Sequence, residues 1–372
     1  MERESPDQVR CGPDPFIWAI PLVLTGLGIL MISSTTSYRS LALFGNPFVF
    51  GLRQLQFLGI GLTAMVMTYM IPLGWLRRLT APFWVLALVF TWLSLAPLVG
   101  HAAGGASRWL RLGPFSFQPF ELLSLASVAH LANRLTVEEL TPKRAFTRTL
   151  LLLSLSVLPV LLQPDLGGTL LLTALCMGLY VDHHGWRYPL GGGAGLALIV
   201  TFLIRGENYR LRRIWAFLDP WKDPRDSGFQ VIQGLVAFAN GGFWGVGLGK
   251  GFQKLHYLPA SDTDFIFAVL AEELGFPGTA LVLSLFAFWA FRVMKLARTQ
   301  TDSFFALLVW GLGLSVLLPM IINVGGVTKL LPLTGMPLPF LSYGGSSLVS
   351  MWIKIGLLLG LAKESGREGV PQ

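Results

Sequence analysis

The chain has 372 residues, 53% hydrophobic and 13% charged, with a net charge of +8 and two cysteines. Soluble domains carry about 25% charged residues, so this deficit points to lipid as the solvent and excludes an ordinary soluble enzyme. The basic residues sit in short groups between apolar runs and form no single basic face, which excludes a nucleic-acid partner; Cys11 and Cys176 suggest neither a disulfide framework nor a metal cluster.

A spanning helix needs about 20 mostly apolar residues. After a tail at 1–14, the first apolar run, 15–35, lacks a small-residue cleavage site and is expected to be a retained helix. Spans are expected next at 54–73 and 80–100. Residues 101–119 mix Trp109, Phe115 and Phe117 with Arg108 and Arg111, as in a segment lying in the membrane interface. Further spans are expected at 119–135, 148–163, 167–183 and 187–204; the turn Gln163-Pro164-Asp165-Leu166-Gly167 joins two of them, and its Asp can simply hold the turn. A long loop covers 205–263. Within it, 228–249 is too polar and glycine-broken to span. Phe229, Ile232, Leu235, Val236 and Ala239 share one helical face there, which predicts a short interfacial helix, then a glycine turn beside an outward-facing cavity. The last spans are expected at 264–296, 303–325 and 340–362, before a tail at 363–372. The expected fold is an all-α integral membrane bundle of about ten helices, one domain over 15–362, with one large extracytoplasmic loop. No internal repeat is visible, which disfavours an inverted-repeat transporter.

Positive charge on the inner side sets orientation. With the N-terminus inside, the inner segments hold 14 of the 28 Lys and Arg residues and the short outer loops hold 5. Both termini are then cytoplasmic and 205–263 is outside.

Ionisable residues inside spans are costly, about 2.5–3.5 kcal/mol each on insertion scales, and mark either functional sites or internal pairs. Glu121, Glu272, Glu273 and Lys354 are such residues. Asp262 and Asp264 stand where the long loop enters a span; either can cap that helix or accept a proton from a sugar hydroxyl at the membrane boundary. Arg108, Arg111, Arg205, Arg210, Arg212 and Arg213 fall on the same outer side, where guanidinium groups could hold a pyrophosphate or simply be solvated.

Five motifs carry a resemblance: GASRWLRLGPFSFQPFE (105–121), QPDLG (163–167), RRIWAFLDPWKDPRDSGFQVIQ (212–233), YLPASDTDFIFAVLAEELG (257–275), and LLPLTGMPLPFLSYGGSS (330–347) with Asn323 before it. In this order they resemble the SEDS (shape, elongation, division and sporulation) family of peptidoglycan polymerases, the group of FtsW, RodA and SpoVE. The resemblance implies polymerisation of lipid II at the outer face of the bacterial cytoplasmic membrane. The GlcNAc 4-hydroxyl of lipid II attacks the anomeric carbon of a glycan chain held on undecaprenyl pyrophosphate, and inversion gives a β-1,4 bond. It implies Asp264 as general base. Arg108, Glu121, Asp165, Arg213, Asn323, Ser342, Tyr343, Gly344 and Gly345 would bind substrate, with Asp262 and Lys329 as secondary candidates.

No protein metal site or organic cofactor is expected; a divalent cation, Mg²⁺ or Mn²⁺, would be held with the substrate pyrophosphate. The implied partners are a class B penicillin-binding protein and other divisome or elongasome membrane proteins. Gln253-Lys254-Leu255 before Tyr257-Leu258-Pro259 leans toward the division branch. Relatives usually carry Lys where this chain has Ser124, a small residue at Phe120, and His at Asp262; Ser124→Lys is therefore expected to be tolerated. The rival expectations are a flippase or transporter of lipid-linked sugars and a non-catalytic scaffold of the cell-wall machinery.

Overall fold

A computed structural model describes residues 14–96, 100–103, 106–112, 115–137, 140–191, 215–226, 228–255 and 257–368. The span expected at 187–204 lies almost wholly outside the described residues, as do Arg205, Arg210, Arg212 and Arg213.

The bundle begins with α1 (Phe16–Phe44), α2 (Val49–Tyr69) and α3 (Leu73–Leu93). α1 runs further than its apolar run because the polar stretch Ser33–Thr36 stays helical. Hydroxyls there bond to carbonyls one turn back, Ser33 Oγ to Ile29 at 2.8 Å and Thr36 Oγ1 to Ile32 at 2.7 Å. α3 corrects the span expected at 80–100: Pro72, in an extended conformation, opens the helix early, and Ser94 closes it. α4 (Pro119–Val137), α5 (Pro142–Leu162) and α6 (Leu166–His184) follow. The long loop contributes α7 (Phe229–Gly241), and the chain ends in α8 (Ile266–Thr299), α9 (Ser303–Val327) and α10 (Gly345–Glu368).

Eight of these helices are long and apolar enough to cross a membrane. α4 falls short by composition for a physical reason. It is packed against α3, α5, α6, α9 and α10, so Glu121, Ser124, Ser127 and His130 are buried in protein rather than facing lipid. The outer surface is apolar instead, with Leu30, Met67, Met70 and Leu151 more than half exposed.

The connection between α3 and α4 is not a plain interfacial segment. It forms an antiparallel sheet in the order β1 (Gly100–Ala103), β2 (Ala106–Leu112), β3 (Phe115–Phe117). Leu110 pairs with Phe117 and Arg111 with Ser116; Leu110 is buried and Arg111 exposed, as strand alternation dictates. The all-α expectation therefore holds for the membrane bundle and is amended by this small sheet at one end.

α7 forms where expected but is rotated. Its buried residues are Val231, Ile232, Gly234, Ala237 and Gly241, while Ala239 is exposed. Gly234 and Gly241 let α7 approach the α8 chain closely: a Cβ at Gly241 would fall 2.1 Å from the Ala271 carbonyl oxygen. The reading by bulk missed this face because its contacts depend on small residues.

α8 is broken at Gly275, where φ is +64°, just before Pro277. The glycine turn after α7 fills the break. Val246 N donates to Glu272 O at 2.9 Å, Gly247 N to Glu273 O at 3.0 Å, and Phe276 N to Phe243 O at 2.9 Å. The peptide groups that the break frees are thus satisfied by protein, as membrane depth requires.

Candidate functional site

The site forms where β2, β3 and the N-terminal ends of α4, α6 and α10 meet the chain entering α8. Gln118 N donates to Ser346 Oγ at 3.3 Å and ties the start of α4 to α10. Asp165 is the N-cap of α6, its Oδ1 accepting from Gly168 N at 3.0 Å. Arg108 crosses from β2 onto this cap: Nη2 donates to Pro164 O at 2.9 Å, and Nη1 lies 3.7 Å from Asp165 Oδ1. Arg108 Nε is buried and has no hydrogen-bond partner among the described residues.

Asp264 lies just ahead of α8, anchored by the buried rings of Phe265 and Phe267. Its backbone is braced by the segment between α9 and α10. Asn323 Nδ2 donates to Asp264 O at 2.8 Å and to Met336 O at 2.7 Å. Ser342 Oγ donates to Thr263 O at 2.6 Å and accepts from Leu338 N at 2.8 Å. Tyr343 N donates to Asp262 O at 2.9 Å.

These groups enclose a cavity of about 370 Å³. Of the residues expected from sequence, it brings together Arg108, Glu121, Asp165, Asp264, Tyr343 and Gly344. Asn323, Ser342, Gly345, Asp262 and Lys329 do not line it. Asn323 and Ser342 act on backbone, as described. Gly345 packs on the Phe57 ring, with a Cβ there only 2.8 Å from it. The Asp262 carboxylate turns to Arg39 of α1, 4.0 Å away. Lys329 sits at the end of α9 with φ +60°. Arg213 is outside the described residues.

The wall also includes Trp109, Gln118, Ser124, Ser315, Ser347 and Lys354, which were not among the expected site residues. Lys354 carried the one visible signal, a charge inside a span. Three carboxyl groups and two basic side chains therefore line one concavity, a set able to orient a hydroxyl-bearing substrate and to move a proton from it.

Glu272 and Glu273 lie elsewhere and are structural. Glu272 accepts from Asn240 Nδ2, Phe252 N and Gln253 N, each at 3.1 Å. Glu273 accepts from Ser34 Oγ at 2.8 Å, Lys254 Nζ at 2.7 Å and Gly249 N at 2.9 Å.

Comparison with known proteins gives one consistent result. The profile of the family described as "cell cycle protein", that of FtsW, RodA and SpoVE, matches residues 15–367. The probable peptidoglycan glycosyltransferase FtsW of Geobacter sp. (strain M18) is 38% identical over 362 residues, covering 94% of this chain and 97% of that protein. Stage V sporulation protein E of Bacillus subtilis (strain 168) is 36% identical over 365 residues, covering 96% and 98%. Among solved structures, a chain from work on structural coordination of polymerization and crosslinking by a peptidoglycan synthase complex superposes with a TM-score of 0.81 at 29% identity, covering 95% and 98%. The rod shape determining protein RodA of Thermus thermophilus gives a TM-score of 0.71 at 26% identity, covering 94% and 97%.

Proposed function

The chain belongs to the cell cycle protein family of FtsW, RodA and SpoVE, and we propose that its cavity is the polymerisation site. The protein is a multi-pass membrane peptidoglycan glycosyltransferase. Its substrates are lipid II and a glycan chain on undecaprenyl pyrophosphate. Asp264 accepts the proton of the GlcNAc 4-hydroxyl as the oxygen attacks the anomeric carbon of the donor. The bond to the lipid pyrophosphate breaks with inversion, and its electron pair leaves with the phosphate. Arg108, fixed on the α6 cap, brings its guanidinium charge to that developing charge. A base placed this way contributes about 10²–10⁴-fold. The observation that carries the assignment is that Asp264, Arg108 and Asp165, from three distant motifs, share one cavity.

Among the described residues no three His, Cys, Asp or Glu side chains gather to hold a metal. Mg²⁺ or Mn²⁺ would be held chiefly by the oxygens of the substrate pyrophosphate. Such a cation would neutralise charge on the leaving group.

We place the protein in the bacterial cytoplasmic membrane with both termini cytoplasmic, from the charge bias. A class B penicillin-binding protein is the proposed lateral partner. Support comes from the solved synthase complex that coordinates polymerization and crosslinking.

The test is gel-resolved glycan formation from lipid II by the purified protein, alone and with its partner. Long glycan strands are expected. Their absence in both preparations, with folded protein, would remove the polymerase assignment.

A further inference from the structure

Lys354 is the deepest charged group of the cavity. It lies on α10, nine residues beyond Gly345, and is 1% exposed. Its backbone is therefore about 13 Å below the outer end of that helix at 1.5 Å per residue. Side chains on a helix lean toward its N-terminus, here the cavity end. Lys354 does so: Nζ sits 3.9 Å from Met351 Sδ, one turn toward that end. Its only other hydrogen bond among the described residues is a long one, 3.5 Å to Ser315 O.

No carboxylate comes within 4.0 Å of this ammonium among the described residues. Glu121, 8% exposed, lines the same cavity. No donor reaches the Glu121 carboxylate among the described residues. Ser124 Oγ, one turn along α4, bonds to the Glu121 backbone carbonyl instead, at 2.9 Å. Two opposite charges, each short of protein partners, thus face the same concavity from α4 and α10. An uncompensated charge at this depth is unfavourable, and each group is the available compensation for the other.

We infer that Lys354 is a positioning residue for the polymerisation reaction: it holds Glu121 aimed into the cavity through bridging water or substrate hydroxyls, so that the cavity floor presents a fixed polar surface to the sugar headgroup. This inference rests on the polymerase assignment. It is specific to the geometry of α4 and α10, since the cation comes from the last span rather than from the helix that carries Glu121.

The test relocates the charge. Lys354→Met keeps length and packing but removes the ammonium; glycan formation is expected to fall about 10²-fold, the cost of a misplaced site group. Ser124→Lys added to Lys354→Met returns a cation one turn from Glu121, where i and i+3 side chains meet. The double variant is expected to recover to within about tenfold of wild type, whereas a purely packing role for Lys354 predicts no recovery. Ser124→Lys alone puts two ammonium groups on one carboxylate and should fall below the double variant, so the tolerance expected from sequence holds only once Lys354 is neutral.

Thermal unfolding in detergent reads the pair without activity. Glu121→Gln combined with Lys354→Met is expected to be more stable than Lys354→Met alone. Wild-type activity in Lys354→Met, a folded Ser124→Lys/Lys354→Met variant no better than Lys354→Met, or purely additive unfolding temperatures would each overturn the inference. Wild-type protein that makes no glycan yet shows the coupled unfolding would remove the polymerase assignment and leave the pair standing.

Discussion

Asp264 rests on a backbone fixed from two sides, by Asn323 on its own carbonyl and by Ser342 on that of Thr263. Replacing it with Asn keeps shape and removes the base. Asp264→Asn is expected to lose about 10²–10⁴-fold in glycan formation with an unchanged unfolding temperature; near-normal strands from folded protein would end the general-base assignment. Asp262→Asn should be much milder, because that carboxylate pairs with a half-exposed Arg39 at 4.0 Å and such pairs contribute about 0–1 kcal/mol. Asn323→Leu tests the brace. It leaves the carbonyls of Asp264 and Met336 without their donor, which costs about 1–3 kcal/mol, and it should lower activity by letting Asp264 shift. Stability and activity measured on one preparation separate the two effects. The sequence singled out Asn323 and Ser342 through their motifs; both brace the backbone at Asp264 without lining the cavity. Their role was not legible, because a motif names a residue type while its hydrogen-bond partner, here a carbonyl far along the chain, appears only on folding. Lys354 shows the same limit: the charge was visible, but which wall of the bundle it faced was not.

At the scale of elements, α8 carries the site at its start and a break in its middle. The break at Gly275 would leave peptide groups unpaired in the membrane, and the chain after α7 supplies their partners. Glu272 and Glu273 hold that chain in place through five polar donors of the loop and through Ser34 of α1. The glutamates are therefore a lock, one of the two roles open to them from sequence alone. Glu273→Ala would strand the Lys254 ammonium, whose side chain is 7% exposed. Breaking one half of a buried pair costs about 3–5 kcal/mol. The expected result is a lower unfolding temperature and early proteolysis at 242–254, before the rest of the bundle yields. Resistance equal to wild type would mean that the loop is held by other contacts. Spans rich in apolar residues were legible because lipid demands a continuous run. α4 was legible at its bounds although it is polar, whereas the sheet was not foreseen. Its strands are short, and paired backbone, more than side-chain pattern, defines them.

At the scale of the molecule, the site exists because alternating spans return distant motifs to one end. Arg108 follows α3, Asp165 lies between α5 and α6, Asp264 precedes α8 and Tyr343 precedes α10; all four line one cavity. The other end carries a different set of charges, with Arg77 paired to Asp302 at 2.8 Å and Arg292 to Asp14. The short segments differ in basic content, 14 Lys and Arg in the inner ones against 5 in the outer ones, while the 8 of the long loop carry little topological weight. Positive charge is retained on the cytoplasmic side during insertion, so the cavity end should face outward. Single cysteines test this in a background lacking Cys11 and Cys176. Arg225→Cys, exposed in the long loop, should react with a membrane-impermeant maleimide in intact spheroplasts. Thr299→Cys, exposed at the far end of α8, should react only after permeabilisation. The opposite pattern would place Asp264 and Arg108 on the cytoplasmic face. Glycan strands would then be made on the wrong side of the membrane for a cell wall, and the proposed orientation would have to be abandoned even if the purified protein polymerised lipid II.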